Sequence, residues 1–187
     1  MNEFTNPWKI LGEKKIYDNP WIRVTEYDVL NPSGGKGIYG KVHFKNLAIG
    51  VLPIDEKGYT WIVGQYRFTL NQYSWEMPEG GGPLSEDPLD AAKRELAEET
   101  GLQAAEWIQL PDMHLSNSVS DEKAIIFIAR QLSQGEAHPE ETEELQLKKI
   151  HFDELYQMVV TGQVTDVLTV AAVLRVKLMQ LHGEISI

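Results

Sequence analysis

Three glutamates lie within one helical turn of the segment GGGPLSEDPLDAAKRELAEETGL, which runs from residue 80 to residue 102. They are Glu95, Glu98 and Glu99. Like charges at helical neighbour spacing repel one another, so this turn needs either solvent or a cation beside it. For an isolated E-x-x-E-E pattern, a solvated acidic helix face is the more common explanation.

The helix that carries these glutamates has clear limits in the sequence. Asp87 is a good N-cap, and Pro88 at the first helical position loses no useful donor. Gly101 fits the left-handed residue that ends a helix. One face of the helix is apolar, as expected where a helix packs on a sheet. That face consists of Leu89, Ala92 and Leu96.

The acidic face of the same helix suits a hard divalent cation. Glu95 and Glu99 are i, i+4 partners with Glu98 between them, and Arg94 lies one turn before Glu98, where it can pair with that carboxylate. Several oxygen donors with open positions suit Mg²⁺ or Mn²⁺. The preceding glycines let the backbone pass close to a ligand and turn sharply into the helix.

The remaining pattern predicts alternating strands and helices. Residues 14–30 include a half-buried strand, and residues 38–44 read as the returning strand of an N-terminal hairpin. Residues 47–54 and 59–67 form a second, more apolar strand–turn–strand unit. This order predicts α/β layers around a mixed sheet. Further strands are predicted at 124–130 and 145–152, and further helices at 152–162 and 165–182.

Composition narrows the class of protein. The net charge of −11 disfavours a protein that binds nucleic-acid phosphates, because such binding needs clustered Lys and Arg. The chain has no cysteine, which suits a reducing compartment. No secretory signal and no apolar run of membrane-spanning length is present. We therefore expect a cytoplasmic protein with no membrane partner.

The segment 80–102 is longer than a chance acidic cluster. Gly80, five residues, Glu86, seven residues and then RELAEETGL match the Nudix box at every fixed position. The chain thus resembles a Nudix hydrolase, an enzyme that acts on phosphorus-containing anhydrides. YRFTLNQYSWEMPEGG, VTDVLTVAAVL and the N-terminal hairpin resemble the ADP-ribose pyrophosphatase and nucleoside diphosphate sugar hydrolase branch.

The resemblance implies an organisation for the whole chain. The fold expected is an α/β/α sandwich around a mixed sheet, with an N-terminal antiparallel hairpin extension. Residues 1–45 would be this β extension and the dimerisation element of a homodimer. Residues 46–187 would be the Nudix hydrolase domain.

The resemblance also implies metal ligands. Glu95, Glu98 and Glu99 are expected to bind Mg²⁺, with Mn²⁺ as a substitute, and Arg94 to orient them. Glu86 is expected to be a supporting carboxylate. The family uses a main-chain carbonyl at position 79 as a further ligand. Glu79 stands where alanine is usual, which adds a carboxylate beside the site.

The general base is expected in the acidic loop HPEETEE, at Glu143, with Glu141 and Glu144 as rivals. A base inside the box, Glu98, is the alternative. The branch also predicts substrate contacts. Arg67 would touch the diphosphate or else form a cross-strand salt bridge, and polar contacts would come from Glu76 and Glu122. Aromatic side chains that could stack on a base or sugar are Trp75, Tyr73 and Tyr27.

The predicted activity is divalent-metal-dependent hydrolysis of a nucleoside diphosphate sugar of the ADP-ribose or GDP-mannose type. The products would be a nucleoside monophosphate and a sugar phosphate. Hydrolysis of dinucleoside polyphosphates, NADH or capped RNA ends is the alternative within the same enzyme class. A nucleotide-sugar-binding regulator without hydrolysis is the alternative from another class. The sequence does not encode the preferred sugar or base.

Overall fold

The computed structural model describes residues 5–135 and 145–187, which contain eleven strands and three helices. The helices are α1 (Pro88–Thr100), α2 (Phe152–Val160) and α3 (Val167–Leu181). The strands are β1 (Lys9–Asp18), β2 (Ile22–Leu30), β3 (Lys36–Phe44), β4 (Asn46–Pro53), β5 (Tyr59–Arg67), β6 (Gln72–Glu76), β7 (Glu79–Pro83), β8 (Leu102–Gln109), β9 (Met113–His114), β10 (Lys123–Gln134) and β11 (Gln146–His151).

The chain divides into two compact units. The first contains the described residues up to Asn46 together with His114–Glu122, and the second contains Leu47–Met113 together with Lys123–Ile187. No helix among the described residues is long and apolar enough to cross a lipid bilayer.

The first unit is an antiparallel sheet in the order β1-β2-β3. The predicted hairpin is confirmed as β2 and β3, and β1 extends it to three strands. The segment 14–30, read as containing one strand, is divided by a turn because the Asn19 side chain accepts hydrogen bonds from the backbone N–H groups of Trp21 and Ile22.

Asp121 ties the segment His114–Glu122 to β3. Its carboxylate accepts the backbone N–H of Phe44 at 3.0 Å and pairs with Lys41 Nζ at 2.7 Å. His43 Nδ1 lies 2.7 Å from the same carboxylate. Burial opposes ionisation, but the contacts with Lys41 and His43 outweigh it and lower the pKa of Asp121 to about 2.

The second unit contains two sheets. One has the order β7-β4-β10-β8, in which β10 runs parallel to β4 and antiparallel to β8, so the predicted mixed sheet is confirmed. The other has the order β11-β5-β6 and is antiparallel. The two apolar strands β4 and β5, read as one unit, belong to different sheets, and an isolated bridge joins Ile54, the residue after β4, to Thr60 of β5.

Helix α1 packs its apolar side on the mixed sheet. Leu96 and Ala92 are fully buried against Ile49 and Val51 of β4 and Phe127 of β10. Full burial of a leucine side chain contributes roughly 2 kcal/mol. This contact holds α1 on the sheet and sets which of its side chains remain at the surface.

The three glycines form strand β7 and do not make the sharp turn that the sequence suggested. That turn follows them, at residues 84–87. A Cβ atom at Gly82 would lie 2.7 Å from Ile49 Cγ1 and 3.3 Å from Ala91 Cβ. The absence of side chains therefore lets β7 lie close to both β4 and α1.

Candidate active site

The acidic helix is α1, and its ends are those that the sequence predicts. Asp87 caps its start by accepting the Leu89 backbone N–H at 2.8 Å. Gly101, with φ of 69°, ends it in the left-handed conformation and donates to the Ala97 carbonyl at 2.9 Å. Glu95 and Glu99 lie on the buried side of this helix, with only 8% and 6% of their surface exposed.

Arg94 gathers the carboxylates of the box. Its NH1 group lies 2.7 Å from Glu95 Oε1 and 3.1 Å from Glu98 Oε2. Its NH2 group lies 3.2 Å from Glu86 Oε2 and donates to the Gly81 carbonyl at 3.1 Å. Burial alone would lower the pKa of Arg94, but the surrounding carboxylates raise it. The sequence assigned Arg94 the role of orienting these side chains, and these contacts are the ones that such a role requires.

Gly80 leaves room for the Glu95 carboxylate. A Cβ atom at Gly80 would lie 2.3 Å from the Glu95 carboxyl carbon, which is closer than real atoms approach. Any side chain there would displace the carboxylate. The first glycine of the box is therefore needed for the packing of Glu95, apart from any ligand.

Glu99 meets the backbone just before the box. The Glu79 backbone N–H donates to Glu99 Oε2 at 3.0 Å. A main-chain donor is a fixed partner, because its position is set by the strand and not by a side-chain rotamer. This bond fixes the orientation of the Glu99 carboxylate relative to β7.

Arg67 forms the salt bridge that was one of its two predicted roles. Its Nε lies 2.9 Å and 3.0 Å from the two Glu76 oxygens, and its NH2 group lies 2.8 Å from Glu79 Oε1. Glu76 is 3% exposed, whereas the Arg67 side chain is 34% exposed. Glu76 therefore holds Arg67, and about a third of the Arg67 side chain stays exposed.

Glu79 is a buried carboxyl group among other carboxyl groups. Its Oε2 is buried and receives no hydrogen bond from any donor in the described residues. Desolvation, followed by repulsion from Asp166 and Glu76, raises the pKa of Glu79 well above its usual range, against the opposing effect of Arg67. Asp166 lies close enough to share a hydrogen bond with Glu79 when one of the two is protonated.

The donor set suits a hard divalent cation by its chemistry. Glu95, Glu98 and Glu99 offer carboxylate oxygens on one helix face, and oxygen ligands are those that Mg²⁺ and Mn²⁺ prefer. Across residues 5–135 and 145–187, no three acidic or histidine side chains are gathered into a metal-ligand cluster. In this structure Arg94 supplies the positive charge between Glu95 and Glu98.

Two predicted groups belong to parts of the chain outside the contacts described above. Glu122 belongs to the first unit, where its carbonyl accepts the Leu115 backbone N–H and burial raises the pKa of its carboxyl group. The loop glutamates Glu141, Glu143 and Glu144 lie outside the described residues. The catalytic and substrate-binding roles assigned to these residues remain predictions.

Two of the three aromatic candidates pack against each other. Tyr73 and Trp75 form an edge-to-face pair with ring centroids 5.6 Å apart, in the sheet of β5 and β6. Tyr27 lines a cavity of about 380 Å³ in the first unit, together with Trp8 and Tyr39. Stacking on a base or sugar stays a prediction for all three rings.

Sequence reasoning missed Asp166 and Thr169. Asp166 is the N-cap of α3, where its Oδ2 accepts the backbone N–H of Thr169 at 2.7 Å. The Thr169 hydroxyl accepts the Met77 backbone N–H at 2.9 Å. An Asp just before an apolar helix is a visible N-cap signal, but nothing local shows that this cap lies beside Glu79.

Comparisons with known proteins identify the family of the chain. Residues 44–166 match the family described as NUDIX domain, and residues 8–42 match the nucleoside diphosphate sugar hydrolase N-terminal domain. A protein of Mycobacterium tuberculosis named ADP-ribose pyrophosphatase is 33% identical over 69% of this chain and 64% of its own length. A Bacillus subtilis protein of the same name is 28% identical over 88% of this chain and 90% of its own length.

A solved structure titled "Crystal structure of ADP compounds hydrolase" matches the fold with a TM-score of 0.85. The match covers 98% of this chain and all of that one, at 19% sequence identity. This likeness confirms the predicted α/β fold with its N-terminal antiparallel sheet.

The cluster around Arg67 predicts opposite effects for its two glutamates. We expect Glu76→Ala to lower the free energy of unfolding by about 2 kcal/mol, since it removes both charge-assisted bonds to Arg67 Nε. Glu79→Ala should instead raise it by about 1 kcal/mol at pH 8, because the desolvation of Glu79 and its repulsion from Asp166 and Glu76 outweigh its contact with Arg67. Urea unfolding in the presence of a chelator measures both effects.

The pH dependence of this stability change shows whether the charge of Glu79 causes it. The folded state raises the pKa of Glu79, so this group costs stability as the pH rises above its unfolded value of about 4.5. The advantage of Glu79→Ala should thus grow between pH 5 and pH 8. Glu79→Gln keeps the volume and should show the same trend. An advantage that is constant with pH would contradict this account of Glu79.

Proposed function

The chain belongs to the Nudix family, and we propose that it hydrolyses the diphosphate bond of a nucleoside diphosphate sugar of the ADP-ribose or GDP-mannose type. The products are a nucleoside monophosphate and a sugar phosphate. The observation that carries the proposal is the acidic face of α1, where Glu95 and Glu99 are buried against β7. The match of residues 8–42 to a nucleoside diphosphate sugar hydrolase domain supports the substrate class.

The proposal assigns a divalent cation, Mg²⁺ with Mn²⁺ as a substitute, to Glu95, Glu98, Glu99 and the main-chain carbonyl of Glu79. Such a cation, when bound, offsets negative charge on the phosphate oxygens. Arg94 keeps Glu86, Glu95 and Glu98 together, so their mutual repulsion is already offset before a ligand arrives. The Glu79 N–H holds Glu99 in one orientation.

Substrate contacts are proposed from the solvent exposure of the side chains. Arg67 has a third of its side chain exposed and is proposed to face the diphosphate, whose negative charge its guanidinium matches. Glu76 is buried and bonded to Arg67 by both oxygens, so it is proposed to hold Arg67 in place. Glu122 stays a proposed polar contact.

A hydrolysis panel with Mg²⁺ tests the proposed function. We expect kcat/KM to be highest for ADP-ribose, GDP-mannose or ADP-glucose, and lower for dinucleoside polyphosphates, NADH and capped RNA. Glu99→Gln should lower kcat by about a hundredfold or more, because an amide is a poorer ligand for Mg²⁺ than a carboxylate. Glu106→Gln, a carboxylate of the same unit on β8, is the matched control and should retain activity.

Other results of the hydrolysis panel would support other functions. A ranking led by dinucleoside polyphosphates, NADH or RNA ends would support the alternative hydrolases. Tight binding of a nucleotide sugar without turnover would support a non-catalytic regulator. Full activity of Glu99→Gln on every active substrate would refute the metal assignment.

The general base is proposed to be Glu143, with Glu98 of the box as the alternative. We expect Glu143→Gln to lower kcat by about 10²–10⁴-fold with little change in KM, because a base acts on the attacking water and not on substrate binding. Glu141→Gln and Glu144→Gln are the matched variants in the same loop. An unchanged kcat for Glu143→Gln would move the base to Glu98 or to a neighbouring loop glutamate.

A cytoplasmic homodimer is the proposed form of the protein. The first unit exposes large apolar side chains, including Ile10, Trp21 and Ile38, and exposed apolar surface often marks protein interfaces. We expect light scattering to give twice the chain mass of 21.2 kDa. Ile38→Asp, which replaces one of these exposed apolar side chains by a charge, should shift the protein toward the monomer. A wild-type monomer at working concentration would contradict the proposal.

A further inference from the structure

Three consecutive residues before the box are each held by a different element. The Met77 backbone N–H donates to the Thr169 hydroxyl of α3 at 2.9 Å, and the Pro78 carbonyl accepts the Val51 N–H of β4 at 2.8 Å. The Glu79 N–H donates to Glu99 Oε2 of α1 at 3.0 Å. The segment Met77–Glu79 is therefore the place where α1, α3 and β4 are joined.

The Thr169 bond is the unusual one of the three. Thr169 is completely buried, and the Met77 side chain is also fully buried, so water cannot replace this hydroxyl. Pro78 has no N–H, which leaves the Met77 and Glu79 donors as the hydrogen bonds that this segment can give. A buried N–H without an acceptor costs about 1–3 kcal/mol, which is enough to shift a short segment.

Asp166 fixes the direction of the Thr169 hydroxyl. Asp166 Oδ2 accepts both the Thr169 N–H at 2.7 Å and the Thr169 hydroxyl at 2.8 Å. The hydroxyl proton is thus used by Asp166, and the oxygen lone pairs are left for Met77. The N-cap of α3 therefore serves a second purpose besides capping the start of the helix.

From this chain of contacts we propose that Thr169 is a positioning residue for Glu99. Thr169 holds Met77, the adjoining residues carry this constraint to Glu79, and the Glu79 N–H orients the Glu99 carboxylate. Helix α3, whose sequence contains no residue of the box, thereby sets the geometry of a box carboxylate. The consequence for metal binding rests on the proposed function, whereas the positioning itself does not.

The test uses variants at Thr169 and a matched control at Thr60. Thr169→Val keeps the shape and removes the hydroxyl, and Thr169→Ser restores it. Thr60→Val removes a hydroxyl that is equally buried but has no hydrogen-bond partner in the described residues. Thr169→Cys, whose sulfur is a weak acceptor, is the milder variant if Thr169→Val does not fold.

Two measurements are made on each folded variant. Amide hydrogen exchange followed by NMR reports on the Glu79 N–H without any metal, and Mn²⁺ titration followed by electron paramagnetic resonance gives a Kd without substrate. Thr169→Val should speed exchange at Glu79 by about tenfold and raise the Mn²⁺ Kd by about tenfold. Thr169→Ser should return both values toward wild type, and Thr60→Val should change neither.

The outcomes separate this inference from the proposed function. Wild-type exchange at Glu79 in Thr169→Val, or in Thr169→Cys where Val does not fold, would overturn the positioning role. Faster exchange with an unchanged Mn²⁺ Kd would overturn the link from Thr169 to the Glu99 carboxylate. If the wild-type protein bound no Mn²⁺, or Glu99→Gln bound it equally well, the proposed metal site would fail while exchange at Glu79 still decided the positioning role.

Discussion

The packing of an acidic helix against a sheet is the constraint on which the rest of this structure depends. Helix α1 must bury Leu96 and Ala92 while Glu95 and Glu99, on the neighbouring face, are buried as well. Buried carboxylates are stable only with partners, because desolvation otherwise drives them to protonate. Arg94 and the main-chain groups of β7 are the partners shown in this structure, and they hold the carboxylates in fixed positions.

A second charged cluster, around Arg67, adjoins the one around Arg94. It contains more acidic groups than basic ones. One guanidinium, that of Arg67, faces Glu76 and Glu79, and Asp166 adds a third carboxyl group. Desolvation, followed by the excess of negative charge from three acids around one base, raises the pKa of Glu79, while the same acids raise the pKa of Arg67.

The ends of α1 and several strands were predicted correctly because they depend on residues that are close together in the sequence. The ends of α1 depend on Asp87, Pro88 and Gly101, which lie within the helix or next to it, and the structure has all three in their predicted roles. Strands β4 and β5 were equally visible as an apolar unit, and β10 and β11 were also predicted as strands. Strand β7 was not, since a run of glycines has no side-chain periodicity, and its extended form arises from packing against Ile49 and Ala91.

The sequence by itself determined the chemistry of the box, because residues at i and i+4 of a helix are neighbours in any fold that keeps the helix. It placed Glu95, Glu98 and Glu99 beside Arg94 without reference to the rest of the chain. Only the tertiary structure decided that Arg67 is bonded to Glu76, that Asp166 lies beside Glu79, and that Thr169 holds Met77 across 92 residues of sequence. The Asp166 and Thr169 contacts depend on how α3 meets the end of β6, and no local periodicity encodes the meeting of two distant elements.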